Sequence, residues 1–182
     1  GSVRASQYAG RTDVTETQAR MLAQAAGEQA TRALRPLGYY NATARTHLEQ
    51  SGDAWTLHID MAAGPPTKVA SLDIRIPEPA LELKPVARAV RGFKPRVGDQ
   101  MNDPAYEASK TVIDNAFLET GWLDAKPTVH RVEVTRAENR ADIHLHYSTG
   151  ERYKLGEVTF EGSQFYPGFL QLSGFLAMNI DR

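Results

Sequence analysis

Five histidines are the residues of this chain best suited to chemistry, because an imidazole can bind a transition metal or carry a proton near neutral pH. They are His47, His58, His130, His144 and His146. The last three share one stretch, and three histidines are the ligand number of a catalytic zinc site. Residue alternation assigns His130 to the core side with Val132, and His144 and His146 to the opposite face. We therefore expect no three-histidine site. A pair at positions 144 and 146 stays open, although solvated strand histidines are the simpler interpretation.

Other catalytic chemistry has no sequence signal. The chain has no cysteine, which removes disulfide scaffolds, thiolate zinc sites and cysteine nucleophiles. It has no glycine-rich phosphate loop, no His-Glu-x-x-His motif and no nucleophile elbow. The carboxylates do not cluster in a way that suggests acid–base work. The sequence therefore predicts a protein that is not an enzyme, with no cofactor and no resident metal.

The charges are balanced, with 21 Lys+Arg against 22 Asp+Glu among 182 residues and a net charge of −1. This balance and 41% apolar residues indicate globular material without a general affinity for nucleic acid. One segment, 84–96, holds five cations and no acid, and Lys84, Arg88 and Arg91 fall on one helical face. An acidic partner or anionic lipid could use this face, but a solvated helix surface is the simpler interpretation.

Three helices would position these residues. The first spans about 16–37, beginning with a capping box over 15–18 and ending at Gly38. The second spans about 80–91, and the third begins with Asp103 as its N-cap. Their expected apolar stripes are Leu22, Ala26, Ala30, Ala33 and Leu37, then Leu83, Ala87 and Val90, then Val112, Ile113, Ala116 and Phe117.

The intervening segments alternate as strands. A first hairpin joins about 42–48 to 54–61 through a Ser51-Gly52 turn, and a second occupies about 126–148. Pairing apolar with apolar residues sets Leu48 opposite Trp55, Thr46 opposite Leu57 and Ala44 opposite Ile59, with Arg45 opposite His58. Further strands are expected at about 68–76, with Ala70, Leu72, Ile74 and Ile76 inward, and at about 153–161.

The order helix, glycine, aromatic residue, hairpin, glycine, strand occurs twice. Gly38 and Gly121 lie 83 positions apart, and Gly64 and Gly150 lie 86 apart. The predicted unit is strand, helix, helix, strand, strand. Its first copy, 1–62, lacks the opening strand; the second, 66–148, is complete; the third, 153–182, is cut after its first helix. The opening strand of the first copy would lie upstream of residue 1.

This unit resembles the POTRA domains of the BamA superfamily of outer-membrane proteins. The resemblance rests on the segment 33–40 (ALRPLGYY) and on the segments 148–153 (STGERY) and 158–164 (VTFEGSQ). Within the superfamily these segments are most similar to TamA-type proteins. The resemblance implies an α+β fold of tandem POTRA domains, each with a three-stranded mixed sheet and two helices on one face. It also implies that the third strand of each unit is central and the second lies at an edge.

A periplasmic, non-enzymatic scaffold for outer-membrane protein assembly is the function that the resemblance implies. Its partners would be a TamB-like protein anchored in the inner membrane, unfolded outer-membrane clients (autotransporters among them) and a barrel downstream in the same protein. An edge strand can accept an extended peptide through main-chain hydrogen bonds. The expected edge positions are Arg45, His47, Glu49, Arg131 and Glu133, and strand 54–61 could pair two copies of the fragment in a non-native dimer.

The remaining residues singled out are expected to shape the fold. They are Gly38, Tyr39, Tyr40, Gly64, Gly121, Trp122, Gly150, Phe160 and Gly162. Two alternatives stay open: the POTRA region of another BamA-superfamily insertase or of a two-partner secretion pore, and a small metal-binding α+β protein that uses the hairpin histidines.

Overall fold

The computed structural model describes residues 14–52, 54–156 and 180–181. Its elements are α1 (Glu16–Leu34), β1 (Thr43–Ser51), β2 (Ala54–Ala62), β3 (Lys68–Arg75), α2 (Glu78–Leu81), α3 (Lys84–Arg91), α4 (Asp103–Glu119), β4 (Lys126–Thr135), β5 (Arg140–Ser148), β6 (Lys154–Leu155) and β7 (Ile180–Asp181). The order of helix, hairpin and strand occurs twice, as the repeat predicts. Phe160, Gly162 and most of the expected third copy lie outside the described residues. Among the described residues, no helix is long and apolar enough to cross a membrane.

Helix α1 packs on the β1–β2 hairpin. The predicted capping box is confirmed, because Gln18 N donates to Thr15 Oγ1 at 3.4 Å and Thr15 N donates to Gln18 Oε1 at 3.0 Å. The buried stripe consists of small residues, Ala19, Ala23, Ala26 and Gly27. The predicted stripe was wrong at its end, because Ala33 and Leu37 are exposed. The α-helix stops at Leu34, and Leu37 belongs to the 3-10 turn Arg35–Leu37 that follows it.

The first hairpin has a register two residues from the predicted one. Leu48 lies opposite Leu57, His47 opposite His58 and Arg45 opposite Asp60. The predicted turn was also wrong, because β1 continues to Ser51, which pairs with Ala54. A shift of two keeps every side chain on its predicted face, so apolar patterning alone could not distinguish the two registers.

The second sheet has the strand order β3-β5-β4. This order confirms the expectation that the third strand of the repeat is central and the second lies at an edge. Ser71 bonds Asp142, and Asp73 faces His144, with the same sequence offset in both pairs. Strands β3 and β5 therefore run parallel, and the sheet is mixed, as the resemblance implied.

The start of β3 faces the core differently from the predicted pattern. Val69 is buried and Ala70 is exposed, so the predicted inward position of Ala70 was wrong. The segment 98–101 supplies the reason, because Val69 N donates to Asp99 O at 2.9 Å and Met101 N donates to Thr67 O at 2.8 Å. This second backbone partner covers the strand where the alternation predicted solvent.

The predicted helix 80–91 is two helices, α2 and α3, with Pro85 in the first turn of α3. Its buried face was predicted wrongly, because Val86 and Ala89 are the buried residues of α3. A helix start displaced by the proline changes which residues share a face.

Helix α4 is capped by Asn102 instead of the predicted Asp103. The Asn102 side-chain oxygen accepts from Ala105 N at 2.9 Å. Ile113 and Phe117 are buried as predicted, whereas Val112 is 55% exposed, so its assignment to the buried stripe was wrong. Val112 lies at the side of that stripe and remains in solvent.

Two compact units divide the chain. One takes the described residues of Gly1–Asp73 together with Phe93–Ser109 and Arg131–His144. Its core includes Phe93 and Tyr106, whose rings meet edge to face with centroids 5.9 Å apart.

The other unit takes Ile74–Gly92, Lys110–His130 and the described residues of Leu145–Arg182. In its core the rings of Phe117 and Tyr147 lie 5.1 Å apart, and the Tyr147 hydroxyl donates to Asp114 at 2.9 Å.

Candidate functional site

The outer face of the first hairpin carries the predicted edge residues of β1. Arg45, His47 and Glu49 are exposed. The rings of His47 and His58 lie 6.2 Å apart, and Glu49 stands beside both. Its Oε1 is 3.6 Å from His47 Nε2 and its Oε2 is 3.4 Å from His58 Nε2. Among the described residues, β1 pairs with β2 in a two-stranded sheet.

Strand β4 forms an edge of the second sheet and presents the other predicted pair. Arg131 Nε lies 3.0 Å from Glu133 Oε1, and both side chains are more than half exposed. His130 is exposed as well, so its predicted place on the core side was wrong. The alternation of burial changes phase between Val129 and Val132, as it does where a β-bulge adds a residue to a strand.

A backbone corner follows the first helix. Gly38 has a φ of +87°, a left-handed conformation that favours glycine. Its carbonyl accepts from Thr67 N at 2.8 Å, and a Cβ added at Gly38 would overlap Met101 O. The corner that follows the helix of the first repeat is therefore bonded directly to the start of the second repeat.

The same corner recurs after α4. Gly121 also has a φ of +87°, and its carbonyl accepts from Tyr153 N at 2.8 Å. A Cβ at Gly121 would overlap Tyr153 O. The side chain of Trp122 is 7% exposed, as suits an anchor at the corner. In both repeats, the carbonyl of the corner glycine thus accepts a hydrogen bond from a backbone amide at the start of the following repeat.

A second glycine packs closely against the chain that leaves each corner. Gly64 has a φ of +71°, and its added Cβ would lie 3.3 Å from Asn41 O. Gly150 has a φ of +67°, and its added Cβ would lie 3.0 Å from the Cβ of Asp124. Asn41 and Asp124 each stand three residues beyond their corner glycine, so the two junctions use equivalent positions.

Side chains that the sequence analysis did not single out strengthen the first junction. Gln100 Nε2 donates to Leu37 O at 2.6 Å. Asn41 Nδ2 donates to Arg136 O and to Asn139 Oδ1, each at 2.8 Å. Neither residue has a distinctive sequence signal, because polar residues are ordinary in loops.

A partly buried tyrosine–carboxylate pair lies beside this junction. The Tyr40 hydroxyl lies 3.5 Å from Asp103 Oδ1. Burial raises the pKa of Asp103 above its usual range, and the hydrogen bond from Tyr40 opposes that shift only in part. Burial and the nearby carboxylate likewise raise the pKa of Tyr40. This arrangement fits structural docking of Tyr40 at the corner.

The polar face of the second sheet holds donor groups that could bind a metal. Asp73 Oδ2 lies 3.7 Å from His144 Nδ1, and His146 follows two residues later on β5. The side chains of His144 and Asp73 are 26% and 32% exposed. The sequence analysis left the histidine pair open and missed Asp73, because only the parallel pairing of β3 with β5 brings that carboxylate to them.

The cationic face of α3 has the exposure that the sequence predicts. Lys84, Arg88 and Arg91 are all exposed. Arg88 and Arg91 lie in the last turn of the helix, where positive charge is favourable against the helix dipole. The helix dipole is therefore sufficient to explain the positions of Arg88 and Arg91 without a binding role.

An open groove of about 380 Å³ is lined by residues of α1 and of β1. Its lining is largely Thr, Gln and small residues, and Glu28 is its one acidic group. Arg32 lies 3.5 Å from that carboxylate in an exposed pair on α1. A single solvated carboxylate of this kind does not provide the paired acid and base of a hydrolytic site.

Two comparisons show what this chain is similar to among known proteins. Residues 3–62 match a family model described as POTRA domain, TamA domain 1. Among solved structures, the chain is similar to the crystal structure of Haemophilus influenzae BamA POTRA3-5, at 18% sequence identity over 81% of this chain, with a TM-score of 0.40. The aligned region spans 56% of that structure's chain.

Proposed function

Because residues 3–62 match a family model of the first POTRA domain of TamA, we propose that this chain is a periplasmic scaffold in outer-membrane protein assembly or translocation. The family match carries this proposal. The repeated helix, glycine corner and hairpin support its extension to the second repeat.

Strand addition is the binding mode that the geometry favours. Strand β4 is an edge of the second sheet, and its exposed side chains alternate with half-buried ones on either side of the exposed pair His130 and Arg131. An extended peptide pairing there would gain main-chain hydrogen bonds with little demand on its own sequence. We propose a TamB-like inner-membrane-anchored protein as the fixed partner and unfolded outer-membrane proteins, autotransporters included, as clients.

A nearer alternative is the POTRA region of another BamA-superfamily insertase or of a two-partner secretion pore. These groups differ in the number of POTRA repeats before the barrel. The complete gene therefore discriminates between them, and the same edge-strand experiment applies to each with its own partner.

Single-cysteine variants test the edge, because the chain has no cysteine of its own. Glu133→Cys places a thiol on β4, and His47→Cys places one on β1. Val112→Cys, on the exposed side of α4, is the matched control. Each variant carries a photo-crosslinker and is mixed with the C-terminal region of a TamB-like protein.

The proposal expects crosslinks from Glu133→Cys, His47→Cys or both, with little from Val112→Cys. Circular dichroism melting first establishes that each variant is folded. Equal crosslinking at all three positions would indicate nonspecific contact. Binding that crosslinks only through the control helix would refute strand addition while leaving the scaffold role in place.

A further inference from the structure

We propose that His47, His58 and Glu49 bind one divalent transition-metal ion, such as Zn²⁺, on the outer face of the first hairpin. All three residues lie in β1 and β2, within one compact unit of the chain. This inference does not depend on the proposed scaffold function. It rests on the pairing of the two strands, on the distances between donor atoms and on the charge of the face.

The pairing of β1 with β2 brings the three side chains to one face. His47 lies directly opposite His58 in the antiparallel pair. Directly opposed residues have Cβ atoms about 4.5–5.5 Å apart, which is close enough for both imidazoles to reach one ion. Glu49 stands two residues beyond His47 and therefore projects from the same side of β1. Two imidazoles and one carboxylate form a common donor set for zinc and leave a fourth position to water.

The carboxylate already stands at coordination distance from both rings. In a tetrahedral shell with bonds of about 2.0–2.2 Å, two donor atoms lie about 3.3–3.6 Å apart. Glu49 Oε1 is 3.6 Å from His47 Nε2, and Glu49 Oε2 is 3.4 Å from His58 Nε2. Both distances exceed the length of a direct hydrogen bond between a charged donor and a carboxylate, about 2.7–2.9 Å. Their spacing is therefore that of ligands around an ion rather than that of directly hydrogen-bonded partners.

The two rings need only a small movement to share an ion. Their centroids are 6.2 Å apart, whereas two imidazoles on one tetrahedral ion have centroids about 5 Å apart. The side chains of His47 and His58 are 68% and 50% exposed, and exposed side chains change rotamer within nanoseconds. Rotation about the side-chain torsions can therefore supply the missing approach of about 1 Å without disturbing the backbone pairing.

The charges of this face favour a cation. Its exposed side chains come from alternate residues of the two strands, and they are Arg45, His47, Glu49, Thr56, His58 and Asp60. With neutral imidazoles, the face carries two negative charges and one positive charge. Arg45 lies opposite Asp60, whose carboxylate offsets the charge of the guanidinium. Glu49 lies opposite the uncharged Thr56, which leaves its negative charge to the two imidazoles and an ion between them.

Zinc titration of the full 182-residue chain tests the inference. Isothermal calorimetry with ZnCl₂ at pH 7.5 gives the affinity, and nitrogen–proton correlation spectra of the imidazoles identify the ligands. We expect the ring signals of His47 and His58 to shift together, with a dissociation constant below about 1 mM. Each of His47→Asn, His58→Asn and Glu49→Gln should weaken binding at this face by about tenfold or more.

His130→Asn is the matched control, because His130 is likewise an exposed histidine on a strand. It should leave the affinity unchanged within about twofold. Melting curves without metal establish that every variant is folded. Because the ligands come from both strands, Zn²⁺ should slow amide exchange in β1 and β2 of the wild type and of His130→Asn, but not in the three ligand variants. A dissociation constant above about 1 mM for the ring signals of His47 and His58, or His47→Asn and His58→Asn variants that bind as tightly as wild type, would overturn the inference.

Discussion

Replacing Gly38 with alanine tests whether the glycine corner ties the two repeats together. Two costs follow from the structure. An alanine at a φ of +87° costs about 1–2 kcal/mol in backbone strain, offset by about 0.4–1 kcal/mol from a less flexible unfolded chain. The new Cβ also overlaps Met101 O, so the backbone must separate there.

That separation breaks hydrogen bonds of the junction. The bonds most exposed to it are Thr67 N to Gly38 O and Gln100 Nε2 to Leu37 O. Each contributes about 1 kcal/mol. Adding these to the backbone strain predicts that Gly38→Ala lowers the free energy of unfolding by about 3 kcal/mol.

Gly52→Ala is the control for this variant. Gly52 also has a positive φ, +60°, but no atom lies within 4 Å of an added Cβ. The expected loss is therefore only the net backbone strain, about 1 kcal/mol. Urea unfolding at constant m-value gives both numbers, and hydrogen exchange at the Thr67 amide locates the loss. Destabilisation of the two variants within about 0.5 kcal/mol of each other would refute the junction argument.

Three further predictions concern hydrogen bonds and a carboxylate elsewhere in the structure. Asn41→Ala should cost about 1–2 kcal/mol in urea unfolding, and a double-mutant cycle with Asn139→Ala should show coupling above about 0.5 kcal/mol; additive losses would contradict the bond between them. The raised pKa of Asp103 means that its contribution to stability is present below about pH 3.9 and is lost as pH rises through the folded-state pKa. Asp103→Asn should therefore be more stable than wild type at pH 7, with a difference that shrinks below pH 4; a constant difference would contradict the shift. Ser109→Ala should cost about 1 kcal/mol and speed exchange of the Lys94 amide, which bonds the serine oxygen at 2.9 Å; unchanged exchange would refute that contact.

The elements of this fold were predictable where local chemistry determines them. The capping box at Thr15 follows from side chains within one helical turn. The corners at Gly38 and Gly121 follow from the glycine requirement of a left-handed residue, and the recurrence of the corner exposed the repeat. Each of these signals needs only a few adjacent residues.

Predictions failed where backbone distant in the sequence determines whether a side chain is buried. Val69 is buried because segment 98–101 bonds to the start of β3, and no local pattern reports that segment. The hairpin register was wrong because a two-residue shift preserves both faces. His130 was assigned to the core side because strict alternation was counted from Val132. The alternation of half-buried and exposed side chains in β4 changes phase between Val129 and Val132, so His130 lies on the exposed side.

For the candidate site too, the local feature was predictable from the sequence and the long-range contact was not. His144 and His146 were recognised as a pair from strand alternation alone. Asp73 lies on β3, and 71 residues separate it from His144 along the chain. Only the parallel pairing of the two strands brings the carboxylate to the imidazoles, and pairing across such a distance has no sequence pattern of its own.

Amide hydrogen exchange with and without the C-terminal region of a TamB-like protein tests the central claim most directly. The scaffold account predicts slower exchange along an edge strand, at β4 (126–135) or in the first hairpin (43–51 and 54–62), with little change in α4. Saturating binding that leaves both edges unchanged and protects α4 instead would contradict it.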